Sequence, residues 1–384
     1  SVGNDPKGEE KQAYYIHQQG LNNDFWGTTF SANYKKDNID LLVGGALNRY
    51  QGAHIKDLLW AEKAYTSYKN NYSYEGLNTK EEASGFAKLT YTLNSKWSLF
   101  ADMQLRYVNY KAKKHKVDEA LYNFNPKMGV TFNLNPNNSF YLSYARATKE
   151  PNRSDYKDYA KELKKNALAK KPVAEKLNDF ELGWRYQSDK VILNVNGYYM
   201  GYQDQLIPTG KLNETGYPIR ENVGSSYRSG IEADATVHLS TKWIWQPNVA
   251  FSKNITKDYK TEKKKVITYW GDTQISYSPS AVIGNTISFL PIKNFQASLI
   301  SKYVGSQYID NTQREEAKLD AYFVNNLSLQ YEWNPKHTFK SVLFSVIGNN
   351  ILNAKYIPYG SNKYGESYIP AAEAHYLAGI TLSF

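Results

Sequence analysis

A chain of 384 residues has room for two or three ordinary domains or one large barrel, and it carries a formal net charge of +10. Only 41% of it is hydrophobic, and no run approaches the roughly 18 apolar residues of a membrane helix, which excludes a helical membrane protein. The absence of cysteine excludes disulfide scaffolds, thiolate zinc sites and thiol nucleophiles.

Taken in chain order, the sequence alternates between apolar and polar residues with a period of two, the mark of strands with one apolar face. Gln12 to Gln18 is a weak first candidate. Trp26, Thr28, Phe30, Ala32 and Tyr34 then share one face, and after a turn at Lys35 to Asn38 the pattern resumes at Ile39, Leu41, Val43, Gly45 and Leu47. Gly44 and Gly45 predict a bend or a close contact within that strand. Further runs are Ala87 to Leu93, Trp97 to Arg106, Phe124 to Phe132, Phe140 to Tyr144, Asp179 to Tyr186 and Val191 to Tyr199. Ile231, Ala233, Ala235, Val237 and Leu239 stand opposite Glu232, Asp234, Thr236 and His238. Trp243 to Phe251, Ile275 to Phe289, Phe295 to Tyr303, Leu319 to Tyr331 and Val342 to Ile351 follow. The last strand is an alternation of Tyr376, Ala378, Ile380, Leu382 and Phe384 that ends on a bare aromatic. The count is about fifteen or sixteen strands.

Charges such as Asp102 and Arg106 on the second face would be intolerable in a sandwich core and are comfortable in a wet lumen. Short turns also alternate with long polar stretches. The long ones are 51–82, 111–121, 149–176, 207–226, 254–273, 309–318 and 353–373. Long loops on one rim and short turns on the other predict an all-β, antiparallel, up-and-down transmembrane barrel with its short turns on the periplasmic side. The 34 tyrosines suit the two membrane interfaces. Lysines concentrate in 161–176 and 257–265, both between strands, where they fit solvated loops or contact with lipopolysaccharide phosphates and do not indicate a nucleic-acid partner.

Nothing in the sequence calls for covalent chemistry. The six histidines show no HxH or HxxxH spacing, and there is no GxSxG elbow or Walker A loop, so no catalytic residue, metal site or cofactor is expected. Asp234 and His238 are explained by lumen polarity.

The stretch Ala145-Arg-Ala-Thr-Lys-Glu-Pro-Asn-Arg-Ser-Asp-Tyr156 resembles the strand-to-loop motif of TonB-dependent outer-membrane receptors, most closely those of the Bacteroidetes. Lys176-Leu-Asn-Asp-Phe-Glu-Leu-Gly183, Asn222 to Glu232, Gly348-Asn-Asn-Ile-Leu-Asn353 and the terminal Phe384 agree with it. The resemblance implies a barrel of twenty-two strands filled by an N-terminal plug and opened by the TonB–ExbB–ExbD machine. Residues 1–384 are then expected to be the C-terminal portion of such a barrel, with the plug and first strands absent from this sequence. It also implies uptake of a scarce large solute: a ferric siderophore or similar iron chelate first, haem or cobalamin next. Tyr376, Ile380, Leu382 and Phe384 would serve as the signal read by the barrel-assembly machinery. Solute binding is expected at loop tips, where aromatic and cationic groups grip a chelate. The candidates are Tyr217, Arg220, Trp270, Tyr308, Tyr359, Tyr364 and Tyr368, each aromatic equally suited to packing a loop or an interface; Arg153, Arg220 and Arg228 fit an anionic chelate or salt bridges to neighbouring loop acids, and Arg153 and Arg228 lie within motifs that look structural. A passive porin of sixteen strands is the alternative, and a barrel enzyme or adhesin a more distant one.

Overall fold

The computed structural model describes residues 14–62, 73–112, 117–164, 169–213, 216–263, 266–335, 339–362 and 367–384. In chain order the elements are β1 (Tyr15–Lys36), β2 (Ile39–Ala61), β3 (Ser73–Thr92), β4 (Trp97–Ala112), β5 (Val117–Asn135), β6 (Asn138–Lys149), α1 (Arg153–Leu163), β7 (Glu175–Gln187), β8 (Val191–Leu212), β9 (Pro218–His238), β10 (Trp243–Lys263), β11 (Val266–Gln274), β12 (Ala281–Phe289), β13 (Phe295–Val304), β14 (Gln307–Tyr308), β15 (Lys318–Leu319), β16 (Tyr322–Trp333), β17 (Ser341–Asn349), β18 (Tyr359–Ser361), β19 (Ser367–Ile369) and β20 (His375–Ser383). One antiparallel sheet of 16 strands runs in the order β1-β2-β3-β4-β5-β6-β7-β8-β9-β10-β12-β13-β16-β17-β20, with β11 folded back on β10. Every neighbour on the path is the next strand of that wall, the up-and-down meander expected. β1 and β20 stand at its two ends, and among the described residues no ladder joins them.

The register sorts the side chains into two faces. Leu41, Leu89, Ala101, Met128, Tyr144, Phe180 and Tyr199 are successive cross-strand partners from β2 to β8 and form one apolar row. One residue along, the row Leu42, Lys88, Asp102, Lys127, Ala145, Asp179, Met200, Arg228 and Asn254 is mostly polar or charged. Large apolar side chains on the first face stand in the open: Leu142, Leu182, Ile231 and Phe251 are each more than half exposed. Only lipid makes such a surface stable, so this is the outer face and the charged one lines the interior.

Aromatic pairs mark both edges of the lipid band. Trp97–Phe132 (ring centroids 4.5 Å apart) and Trp243–Phe289 (4.4 Å) lie near the short-turn rim. Tyr107–Tyr122 (4.9 Å) and Tyr199–Tyr227 (5.9 Å) lie towards the other. Trp97 and Tyr107 are about ten residues apart on β4; at ~3.3 Å per residue and a tilt near 40° they are separated by about 25 Å, the height of an outer-membrane apolar band.

Several expectations are corrected. Gln12 to Gln18 is not a separate sixteenth strand: its described part, from Tyr15 on, belongs to β1. The supposed strand Ile275 to Phe289 is broken at 275–280, where Tyr277 takes a positive φ of 51° and Pro279 lacks an N–H for the ladder. Much of the polar sequence read as loop is strand. The ladders β2–β3, β8–β9 and β10–β11 continue far past the lipid band as tall hairpins. Above the membrane neither face needs to be apolar, so the period-two signal fades while the backbone pairing persists. Gly44 and Gly45 mark no bend: each lies beneath a cross-strand aromatic ring, and a Cβ would come within 2.8 Å of Phe86 at the first and Phe30 at the second.

Candidate functional site

The long-loop rim carries the candidate residues. Between β13 and β16, and again between β17 and β20, the chain forms small two-stranded sheets, β14–β15 and β18–β19. These are laced to the ends of β8 and β11. The fully buried Asn311 accepts the Ser276 N–H (2.8 Å) and donates from Nδ2 to the Pro208 carbonyl (2.8 Å), which also accepts the Ser276 hydroxyl (3.0 Å). The Tyr277 N–H donates to the Tyr308 carbonyl (2.8 Å), and its hydroxyl donates to the Gly360 carbonyl (2.7 Å). The Asn362 N–H donates to the Gly210 carbonyl (3.0 Å) and its Nδ2 to Asp310 Oδ2 (3.2 Å). Asp310 is further held by the hydroxyl and N–H of Thr312 and by Arg314 at 3.2 Å. Ile309, Ala317 and Leu319 bury a small apolar centre under this ledge.

Tyr277, a residue the sequence reading missed, links two of the candidates, through the Tyr308 backbone carbonyl and the Tyr359 ring. Tyr277 stacks on Tyr359 at 5.4 Å with the rings 15° from parallel. Burial, reinforced by the Tyr359 phenol, pushes the Tyr277 hydroxyl well above the ordinary tyrosine range, so it stays a hydrogen-bond donor at any physiological pH. Tyr368, 40% exposed, closes the ledge through a hydrogen bond from its hydroxyl to the Glu316 carbonyl. Tyr364 lies outside the described residues.

Trp270 sits on a neighbouring cluster of Ile207, Val223, Tyr259 and Ile275, its indole N–H donating to Thr261 at 3.0 Å. That contact gives it a packing role on the β10–β11 hairpin. Arg220 is committed elsewhere: it makes a two-pronged bond to the buried Asp155 of α1, at 3.0 and 2.7 Å. Tyr217, at the β8–β9 hairpin tip, is 65% exposed. Arg228 donates to Asn254 (3.0 Å) and Ser278 (3.1 Å), bracing β9 to β10 and to the 275–280 segment that precedes β12. Arg153 opens α1, and the Asn152–Asp155 capping box, each side chain bonded to the other's backbone N–H, starts that helix.

Inside the wall Arg106, Glu82, Glu150 and Lys80 form a four-residue charge network. Arg106 bonds Glu82 through Nε and Nη2 (2.8 Å each) and Glu150 through Nη1 and Nη2 (2.8 and 2.9 Å), and Lys80 donates to Glu150 at 2.7 Å. At Glu150, just past β6, burial works to raise the carboxyl, but bonds to Arg106 and Lys80 overcome it and hold it down at about 2. The network ties the start of the α1 connection to β3 and β4. Lower on the inner face, Tyr141 bonds Asn196 (3.1 Å) and Asn194 bonds Asp234 (3.0 Å). Asp234 is thus engaged by Asn194, in keeping with lumen polarity. Among the described residues no three His, Cys, Asp or Glu side chains converge as a metal-ligand set.

The sequence matches the family model "TonB dependent receptor-like, beta-barrel" over residues 3–351. The chain belongs to this family. It is an outer-membrane barrel wall, and the family's members are transporters, not enzymes. No curated protein sequence matches it. Among solved structures it is similar to the copper transporter OprC (TM-score 0.72, 15% identity), covering 96% of this chain and 57% of that one. It is also similar to the siderophore receptor PiuA from Acinetobacter baumannii (0.68, 13%; 94% and 56%) and the ferric yersiniabactin uptake receptor FyuA from Yersinia pestis (0.63, 16%; 97% and 55%). The chain spans a little over half the length of each. At these identities the likeness is one of fold. The short turns of the receptor wall lie on the periplasmic side and the tyrosine ledge on the extracellular side.

Proposed function

We propose that this chain is the C-terminal portion of the barrel of a TonB-dependent transporter of the Bacteroidetes type, which takes up a scarce large solute by energised movement of a plug. The observation that carries the reading is the family match along the wall together with the extracellular ledge, where Tyr277, Tyr308, Tyr359 and Tyr368 gather above a polar interior. Among the described residues no ladder joins β1 to β20, which is consistent with further strands of the same barrel between them. Two stacked phenol rings, fixed by the Tyr277 hydroxyl's bond to the Gly360 carbonyl, suit the flat, conjugated rim of a chelate. A ferric siderophore or similar iron chelate is the first solute to test, with haem and cobalamin next. Energy comes from TonB–ExbB–ExbD acting on the N-terminal part, and insertion is directed by the barrel-assembly machinery through Tyr376, Ile380, Leu382 and Phe384.

The test is equilibrium binding to the full-length receptor in detergent, by quenching of tryptophan fluorescence with a panel of ferric catecholates, ferric hydroxamates, haem and cobalamin. One class binding saturably, and about tenfold more weakly after Tyr359→Ala, is the expected result. Failure of every class to bind, with an open-pore conductance in planar bilayers, would replace the transporter by a passive porin.

A further inference from the structure

The connection from β13 to β16, which carries Tyr308, has an uneven charge. Residues 305–321 hold two cations, Arg314 and Lys318, against four carboxylates, Asp310, Glu315, Glu316 and Asp320. Both cations are used close to home: Arg314 bonds Asp310 at 3.2 Å and Lys318 bonds Glu315 at 3.3 Å. Glu316 and Asp320 are left over. Both are exposed, and among the described residues neither has an ion-pair partner within 4 Å. The cations of the rim that would serve an anionic solute are turned elsewhere: Arg220 to Asp155, Lys257 to Asp272, and Arg228 to Asn254 and Ser278.

The two spare carboxylates stand among the ledge aromatics. Tyr368 donates its hydroxyl to the Glu316 carbonyl and is the cross-strand partner of Gly360, whose carbonyl takes the Tyr277 hydroxyl. The Glu316 backbone is thus tied through Tyr368 and Gly360 to the Tyr277–Tyr359 stack. Asp320 directly follows Leu319 in the β14–β15 pair that holds Tyr308. Two residues further on, Tyr322 stacks on Tyr356 with ring centroids 4.2 Å apart and the rings 21° from parallel. The field at the first stack is itself negative: after burial and the Tyr359 phenol, the Asp310 carboxylate also helps to raise the Tyr277 hydroxyl.

Ring faces attract cations through their quadrupole, and exposed carboxylates beside them add a longer-ranged pull; an anion is repelled by both. We propose that the ledge takes a solute of net positive charge, an iron chelate whose rim bears a free ammonium, and that Glu316 and Asp320 are the residues that set this preference. An amine-ended ferric trihydroxamate has that chemistry. Its hydroxamates just neutralise Fe(III), so the ammonium makes the whole chelate a cation, whereas a ferric tris-catecholate is strongly anionic. The inference rests on the ledge being the solute site and adds to that reading the sign of the solute.

The test holds the scaffold constant and varies its charge. One linear ferric trihydroxamate is titrated onto the full-length receptor in detergent in three forms: with its free amine, with the amine acetylated, and with the amine succinylated to a carboxylate. By tryptophan quenching the cation is expected to bind about tenfold more tightly than the neutral form and more tightly still than the anion, with the gap narrowing as salt is raised. The double variant Glu316→Gln, Asp320→Asn changes only exposed side chains and is expected to bring the three forms within about twofold of one another. Tyr359→Ala is expected to weaken all three alike. Binding of the succinylated form as tight as that of the cation, or a cation preference that survives the double variant, would overturn the inference and leave the ledge as the site. So would failure of all three forms beside saturable binding of a catecholate, haem or cobalamin. Failure of every chelate of any charge would overturn the ledge reading and this inference with it.

Discussion

Replacing Arg106 by Gln removes the centre of the interior charge network without changing the length of the strand or its ladder. Four hydrogen bonds to two carboxylates are lost, while Lys80 keeps its bond to Glu150 and stays 4.0 Å from Glu82. Stripping a partner from a buried pair costs ~3–5 kcal/mol; the carboxylate side chains here are 14% and 19% exposed and Lys80 remains, so the expected loss near neutral pH is about 2–3 kcal/mol. The dependence on pH gives the interpretation its sharpest edge. Glu150 has its folded carboxyl lowered from 4.5 to about 2, so its stabilisation is complete above the unfolded value and disappears as pH falls through the folded one. In the variant the arginine no longer opposes burial, so the carboxyl protonates at higher pH and the penalty is relieved earlier. Urea unfolding from lipid vesicles, followed by tryptophan fluorescence, should therefore show a wild-type advantage that is largest near neutrality and shrinks steadily between about pH 4.5 and pH 2. A loss below about 0.5 kcal/mol at neutral pH, or one that does not change with acid, would refute the assignment of the network as a coupled brace.

Other consequences follow from the same structure. Arg220→Ala leaves the Asp155 carboxylate, which is 4% exposed, without its two-pronged partner; hydrogen exchange across 153–163 is expected to accelerate about tenfold or more, with exchange in the β7–β10 ladder unchanged. Phe384→Ala removes a ring that packs edge-on against Phe339 at 5.1 Å beside the last strand, and the heat-modifiable, folded fraction in outer-membrane extracts is expected to fall several-fold. The intact mass of the native protein is expected at roughly 80 kDa, since 44.0 kDa at little more than half of a relative's length implies that size, against 44.0 kDa for a barrel complete as written.

The wall of the barrel was legible in the sequence because lipid imposes a strict demand on every second residue. Leu89, Ala101, Met103 and Leu105 could be assigned to one face, and Lys88, Asp102 and Arg106 to the other, from alternation alone, and the ladder pairs them so. That demand ends at the membrane surface. The hairpin arms around 51–56 and 73–79 read as polar loop because water bathes both their faces, although they pair across the ladder with one bulge between Ala53 and Ile55. α1 is the exception, although Asn152 and Asp155 stand at capping-box spacing; a helix of eleven residues with three basic and three acidic side chains offers little else to see. The ledge was only half legible. Tyr308, Tyr359 and Tyr368 were candidates as loop aromatics, but Tyr277 was assigned to a continuous strand, and only the break at 275–280 turns it towards Tyr359. Arg220 shows the converse. Its type and position fit an anionic solute, yet its charge is spent on Asp155, a partner 65 residues away that no local pattern announces.

Energised uptake tests the central claim most directly. Cells carrying the full-length gene are supplied with the radio-iron form of whichever chelate binds the purified receptor, with TonB present or deleted. Saturable uptake that falls by about tenfold or more without TonB is the predicted result. Uptake that rises linearly with concentration and is indifferent to TonB would contradict it and leave a passive pore.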